Sequence, residues 1–260
     1  MSSNRLKLNA DKTQFIWLGT GPQLTKVTSS TVTLDGVDTQ LSDDVTCLGV
    51  VIDKELTFAD HVKKLAGKCF YQLRQLRTVR RTLSIDAAKT LVHAFVISRV
   101  DYCNSVLNGA CASHLRPLQS VLNATARLLT GKRKYDHISE AMRTQLHWLP
   151  IRERISYKLC LLVNRCRGQT APPYLADMCV DVSASAGRRH LRSAAHGDLI
   201  VPRTRLVHYG PRSFSVSGPV HWNSLPLTVR DPTLTAGQFR SKLKTELFCR
   251  AYGTLPPAPS

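Results

Sequence analysis

The side chains best suited to chemistry in this 260-residue sequence are cations. Lys63, Lys64, Lys68, Arg74, Arg77, Arg80 and Arg81 crowd one stretch, and Lys132, Arg133 and Lys134 follow Gly131 in a second cluster. Guanidinium and ammonium groups at such density bind phosphate, and Arg, which supplies 23 of the 36 basic side chains, does so through paired N–H donors. The chain carries a net charge of +18. A field of that size draws polyanions, which makes nucleic acid, DNA or RNA, the expected partner. The charge is uneven: residues 1–60 hold 5 basic and 8 acidic side chains, whereas residues 61–260 hold 31 and 10. The competing reading of the same numbers is a solvated basic surface with no ligand. Gly131 to Lys134 is not a phosphate loop, because the second glycine and lysine of G-x-x-x-x-G-K are missing.

Groups for covalent or metal chemistry are sparse. Asp43-Asp44 is an adjacent carboxylate pair, but no apolar strand leads into it, so it reads as a polar turn and not as a metal clamp. His61, His93, His114, His137 and His147 are scattered, with no Ser/His/Asp or Cys/His grouping at a useful spacing. The eight cysteines include no C-x-x-C pair, which argues against zinc, and Cys103, Cys111 and His114 make a poor knuckle. Most cysteines sit in apolar helical patterns, where they act as small hydrophobes. The compartment implied is a reducing one, nucleus or cytoplasm. Ser2 to Asn9 is too polar for a secretory signal, and no run of about 18 apolar residues predicts a membrane span. No metal or cofactor site and no independent active site are expected.

The elements that position the cations are mostly helical. Gln14 to Leu18 reads as a short buried strand, Thr31 to Gly36 as an alternating strand ending in an Asp-Gly turn, and Val45 to Asp53 as a third strand. Thr57 caps a helix whose Val62, Leu65, Cys69, Leu73 and Leu76 fall in one narrow wedge, with the basic residues on the flanks. Ser84 caps a second helix running to Leu107. Ser113 caps a third, with Leu115, Leu118, Leu122 and Leu129 inward and Gly131 as its stop. A short fourth helix precedes Trp148 and Pro150, and a fifth spans Ile151 to Arg167. Residues 169–200 are loop-rich and hold Arg188, Arg189, His190 and Arg192. A last helix places Phe239, Leu243 and Leu247 on one face. Trp148 and Trp222 read as packing anchors more readily than as stacking platforms. The fold class is α+β, mainly α, with a helical bundle at its centre.

The opening run LKLNADKTQFIWLG resembles the polymerase motif that follows the catalytic Asp-Asp turn in reverse transcriptases of non-LTR retrotransposons, the jockey-like and chicken-repeat-like elements in particular. LGVVIDKELTFADHV, SRVDYCNSVLNG, LHWLPIRERISYKLCLLV, APPYL, LRSA and WNSLP are similar to the thumb and C-terminal region of the same enzymes, in the same order. The resemblance implies a palm remnant in residues 1–55, a helical thumb-like bundle in 56–168 and a basic C-terminal region in 169–260. It implies that Lys12 matches a motif lysine, that Leu48-Gly49-Val50 matches the primer-grip hairpin, and that the magnesium-binding aspartates of the intact enzyme would lie upstream. A truncated RNA-directed DNA polymerase fragment is therefore expected, in which Lys12 is idle and no magnesium is held. Its remaining activity would be sequence-tolerant binding of template–primer duplex or single strands. A protein-interaction module and a relic without function stay open as alternatives.

Overall fold

The computed structural model describes residues 9, 12–34, 36–184 and 196–253. They form a mainly helical α+β chain with two small antiparallel sheets. Contacts divide it into two compact units, Met1–Lys68 with Ala110–Pro117, and Cys69–Gly109 with Leu118–Ser260. Residues on both sides of 168 share one core, in which Leu149, Cys160 and Val163 pack with Trp222, Phe239 and Leu243.

In the first unit the Asp-Gly signal yields a hairpin of β1 (Thr31–Leu34) and β2 (Val37–Gln40), with Gly36 at φ 80°; Asp35 itself lies outside the described residues. The expected single strand from Val45 is instead a second hairpin. β3 (Asp44–Cys47) pairs with β4 (Val50–Asp53) around Leu48 and Gly49, both at positive φ, 47° and 81°. That is the geometry of a two-residue hairpin turn, whose twist matches the strands. Leu48 is 84% exposed at its tip, so Gly49 supplies the backbone conformation of a turn and does not relieve crowding in a buried strand. Gln14 to Leu18 forms no strand: Phe15 makes an isolated bridge to Leu41, and Trp17 and Leu18 are exposed. Each nearby strand already has a partner closed by a two-residue turn, and such short closure costs less chain entropy than a distant pairing. Residues 1–8, 10 and 11, which carry most of the opening motif, lie outside the described residues.

α2 (Ala59–Val79) starts on a different cap from the one expected. The Asp53 carboxylate accepts from Thr57 N at 2.8 Å and Phe58 N at 2.6 Å, while Thr57 Oγ1 accepts from Ala59 N at 3.2 Å. The buried stripe of α2 is Val62, Ala66, Cys69, Leu73 and Leu76, with Leu65 half-buried. His61 is buried beside it, and its Nδ1 accepts from Val51 N at 3.3 Å. Burial first, and the Lys68 charge second, hold its pKa below the ordinary value. A ring nitrogen that accepts a hydrogen bond carries no proton, so Nδ1 is the bare nitrogen in this contact.

In the second unit Ser84 caps α3 (Ile85–Val92) by accepting from Ala87 N at 3.2 Å. The helix then widens into a π turn over His93–Ile97 and continues as α4 (Ser98–Asp101). The extra residue in that turn rotates the surface, which puts the ring of Phe95 outward at 41% exposure. The helix does not reach Leu107. Asp101 gives both carboxylate oxygens to Arg154 Nη1, at 3.1 and 2.9 Å; Cys103 turns left-handed at φ 51°, and Asn104–Leu107 form a 3-10 turn. Arg154 also donates from Nε to Leu149 O at 2.8 Å and lies over the Trp148 ring. The SRVDYC and LHWLPIRERISYKLCLLV segments thus meet in one ion pair, and their role here is to hold helices together.

α5 (Ala112–Thr130) buries Leu115, Leu118, Leu122 and Leu129 and stops at Gly131, φ 69°. Ser113 does not cap it; its hydroxyl donates to Cys111 Sγ at 3.1 Å. α6 (Ser139–Thr144) and α7 (Ile151–Arg167) follow, the latter with the bounds expected of it. After α8 (Pro173–Ala176) the chain supplies helices Phe214–Asn223, Leu227–Arg230 and Ala236–Tyr252. Gly218 lets the first of these close on α7, since a Cβ there would lie 3.1 Å from Val163 Cγ2. Trp148 and Trp222 are both buried, and Phe239, Leu243 and Leu247 face the core. Burial pushes the Cys69 thiol to about 11 and that of Cys160 to about 12, the behaviour of apolar side chains. Arg188, Arg189, His190 and Arg192, and the tail from residue 254, lie outside the described residues.

Asp53 offers a test of this account of the first unit. Burial pushes its carboxyl up, but the Thr57 and Phe58 N–H donors outweigh burial and leave its pKa below the ordinary value. A pKa lowered by folding stabilises the fold above the unfolded value and loses that effect as pH falls through the folded one. Asp53→Asn is expected to cost about 1–2 kcal/mol at neutral pH and to flatten the loss of stability between about pH 5 and 3. Urea titrations at several pH values measure both. An unchanged midpoint at neutral pH would show that Asp53 does not hold the start of α2.

Candidate functional site

The cations of the second unit gather where α2 and α5 end. Past Val79 the chain makes a 3-10 turn over Arg80–Thr82, and the Arg80 side chain turns in toward α5. Its Nε donates to Leu128 O at 3.1 Å, Nη2 to Leu129 O at 3.3 Å, and Nη1 to Leu83 O at 3.2 Å. The last carbonyls of a helix have no partner within it and carry its negative end, so a guanidinium satisfies them twice over, by hydrogen bond and by charge. Arg80 thereby fastens two helix ends side by side.

Between those ends lies a cleft of about 810 Å³. One wall is a single stripe of α2 and its following turn, bearing Phe70, Arg77 and Arg81. The other is a stripe of α5, Ala124, Leu128 and Gly131, joined by Arg127 and by Lys132 and Lys134 beyond the helix. Six cations line the cleft and no carboxylate does. The floor is apolar, formed by Phe70, Ala124 and Leu128. Several of the cations are held in place from behind. Arg127 Nη2 donates to Asp136 O at 3.1 Å, while its Nε is buried without a partner. Lys132 Nζ donates to His137 O at 3.2 Å, and Arg133 N donates to Asp136 Oδ2 at 2.7 Å to close the loop. Lys134 Nζ sits 5.3 Å from the centre of the Tyr135 ring.

The structure therefore sorts the basic residues expected to bind. Arg77, Arg81, Lys132 and Lys134 line the cleft, and Arg80 builds it. Arg74 shares the Phe70–Arg77 stripe of α2, and Arg133 lies in the loop beside the cleft; both are exposed. Lys63, Lys64 and Lys68 belong to the part of α2 in the first unit and are exposed, with Lys64 paired to Asp44 at 3.1 Å. Arg127 was not among the expected residues. Its signal was its place four residues before Gly131, on the face of α5 that ends at the basic loop.

The aspartates near the first-unit hairpin do not fit a magnesium pair. Asp43 is bound to Lys54 at 2.8 Å, Asp44 to Lys64, and Asp53 to the N–H groups that open α2. Each carboxylate has its own partner in a different direction, and among the described residues no three His, Cys, Asp or Glu side chains converge as a metal site. Lys12 is exposed, and its own backbone N–H donates to Asn9 O at 3.2 Å. Among the described residues no helix is long and apolar enough to cross a membrane.

Comparison with known proteins agrees with part of the resemblance. The chain is 30% identical over 87 residues to a probable RNA-directed DNA polymerase from transposon X-element of Drosophila melanogaster, a match covering 32% of this chain. It spans about a tenth of the length of that relative. No family model and no solved structure matches. The likeness supports an origin related to reverse transcriptases for the matched part.

The division of labour between Arg80 and Arg81 is testable by thermal or urea denaturation. Arg80→Gln removes a guanidinium that holds three carbonyls and is expected to cost about 2–3 kcal/mol. Arg81→Gln changes an exposed side chain and is expected to stay within about 0.5 kcal/mol of the parent. Equal effects of the two would mean that Arg80 does not fasten the helix ends.

Proposed function

We propose that this chain binds nucleic acid without reading its sequence, and that the cationic cleft between the ends of α2 and α5 is the contact surface. The observation that carries this reading is the lining: six cations converge on one concavity without a carboxylate among them. Like charges held together repel, and a phosphate backbone relieves that repulsion while releasing its own counterions. The Arg and Lys side chains contact phosphate, which positions a strand and does not specify bases. The sequence likeness to a transposon polymerase supports reading the chain as derived from the thumb and C-terminal region of a non-LTR reverse transcriptase, with a palm remnant ahead of it. The function proposed is binding; Asp43 and Asp44, the adjacent carboxylates where the β3–β4 hairpin begins, are each paired with a lysine.

Salt dependence measures the number of phosphates engaged. With four or five contacts, log K is expected to fall with log salt at a slope of about −3 to −4. Replacing Arg77, Arg81 and Lys134 together with Gln should flatten it by about 2 and weaken binding similarly for unrelated sequences. The matching triple replacement of Lys63, Lys64 and Lys68 should change the slope less. Fluorescence anisotropy against salt reads both. An unchanged slope in the cleft variant would remove the cleft from the interface.

A further inference from the structure

We propose that the cleft is built for a single strand, with Phe70 as a stacking surface for one base and Tyr135 for another. This rests on the nucleic-acid reading above and goes beyond it. Phosphate contact alone needs only cations, yet the floor of this cleft is apolar. Phe70 is 38% exposed there, on a helix whose buried stripe lies to one side of it, and it shares a face with Arg74 and Arg77 at i+4 and i+7. An aromatic ring left open to solvent between guanidinium groups is a surface for a flat, weakly polar group that arrives attached to anions. A nucleobase is that group. On the α5 side, Ala124 and Gly131 are small and leave room between Leu128 and the cations.

The second aromatic, Tyr135, does not line the cleft itself but follows Lys134, which does. Tyr135 is 87% exposed, which is unusual for a ring that packing has not placed, and Lys134 Nζ lies over its face. The cation holds the ring and leaves its other face free. Phe70 lies on one face with Arg74 and Arg77, and Tyr135 lies against Lys134, so each aromatic has a cation beside it, the arrangement that lets bases stack while phosphates are neutralised alongside. A duplex keeps its bases stacked inside and offers the cleft only sugars and phosphates, so the apolar floor would gain no partner from it. An unpaired strand satisfies both the rims and the floor.

The test uses the full chain and three fluorescent probes of equal length: an oligothymidine strand, an abasic strand with the same phosphates, and a duplex. The base-bearing strand is expected to bind at least about fivefold more tightly than the abasic one, and more tightly than the duplex at equal salt. Phe70→Leu keeps an apolar side chain but loses the π face; it should shrink the difference between base-bearing and abasic strands. Tyr135→Leu, at an exposed position, should do the same and is insulated from folding effects. Equal binding of base-bearing and abasic strands by the parent protein, or equal binding of strand and duplex, would overturn the stacking proposal and leave phosphate binding standing. If no probe binds while an acidic peptide does, both the single-strand proposal and the nucleic-acid reading fall.

Discussion

The grip of Arg80 on the carbonyl end of α5 is the interaction on which the cleft depends. Every other cation there is mutually repelled, and nothing about their charges would bring them together. Arg80 reverses that tendency because it faces a helix terminus and not another side chain: Leu128 and Leu129 offer carbonyls with no partner of their own. The same contact explains why α2 does not simply fray after Val79. Its 3-10 turn is the bend that delivers the guanidinium. A cation usually counted as a ligand for phosphate is here part of the frame, and the cations left over are the ones available to bind.

A similar use recurs in the second unit, where several arginines join elements. Arg154 ties Asp101 to the Leu149 carbonyl, Arg167 reaches Asp181 and lies over Trp222, and Arg230 pairs with Asp198. The planar fork of arginine suits this use, since one side chain can satisfy carboxylate, carbonyl and ring at once. Net charge therefore overstates the binding surface. What distinguishes the cleft is that Arg77, Arg81 and Lys134 have no carboxylate among the residues lining it.

Helices whose ends carry their own signals were legible in the sequence. α7 begins after Pro150 and ends before Gly168, and its periodicity needs nothing distant to complete it. The inward faces of α5 and of Ala236–Tyr252 followed from spacing alone. Failures came where a distant partner decides. The helix after Ser84 breaks near Asp101 because Arg154 claims that carboxylate, and no window of local sequence contains both residues. Val45 to Asp53 is apolar enough for one strand, but Leu48-Gly49 can turn, and the hairpin satisfies its own backbone. Gln14 to Leu18 is apolar, yet its pairing is limited to the bridge from Phe15 to Leu41. The candidate site was half legible: the basic clusters were plain, whereas the roles of Arg80 and Arg127 depend on α2 and α5 ending side by side.

The most direct test of the central claim is to map where a bound strand touches the protein. An oligonucleotide carrying photoreactive thiouridines can be crosslinked to the full chain and the adducts located by mass spectrometry. The account predicts adducts in the segments 70–81 and 124–135, with Phe70 and Tyr135 among the modified residues. Adducts confined to residues 59–68 or to the helices after 214, with none at either wall of the cleft, would contradict it.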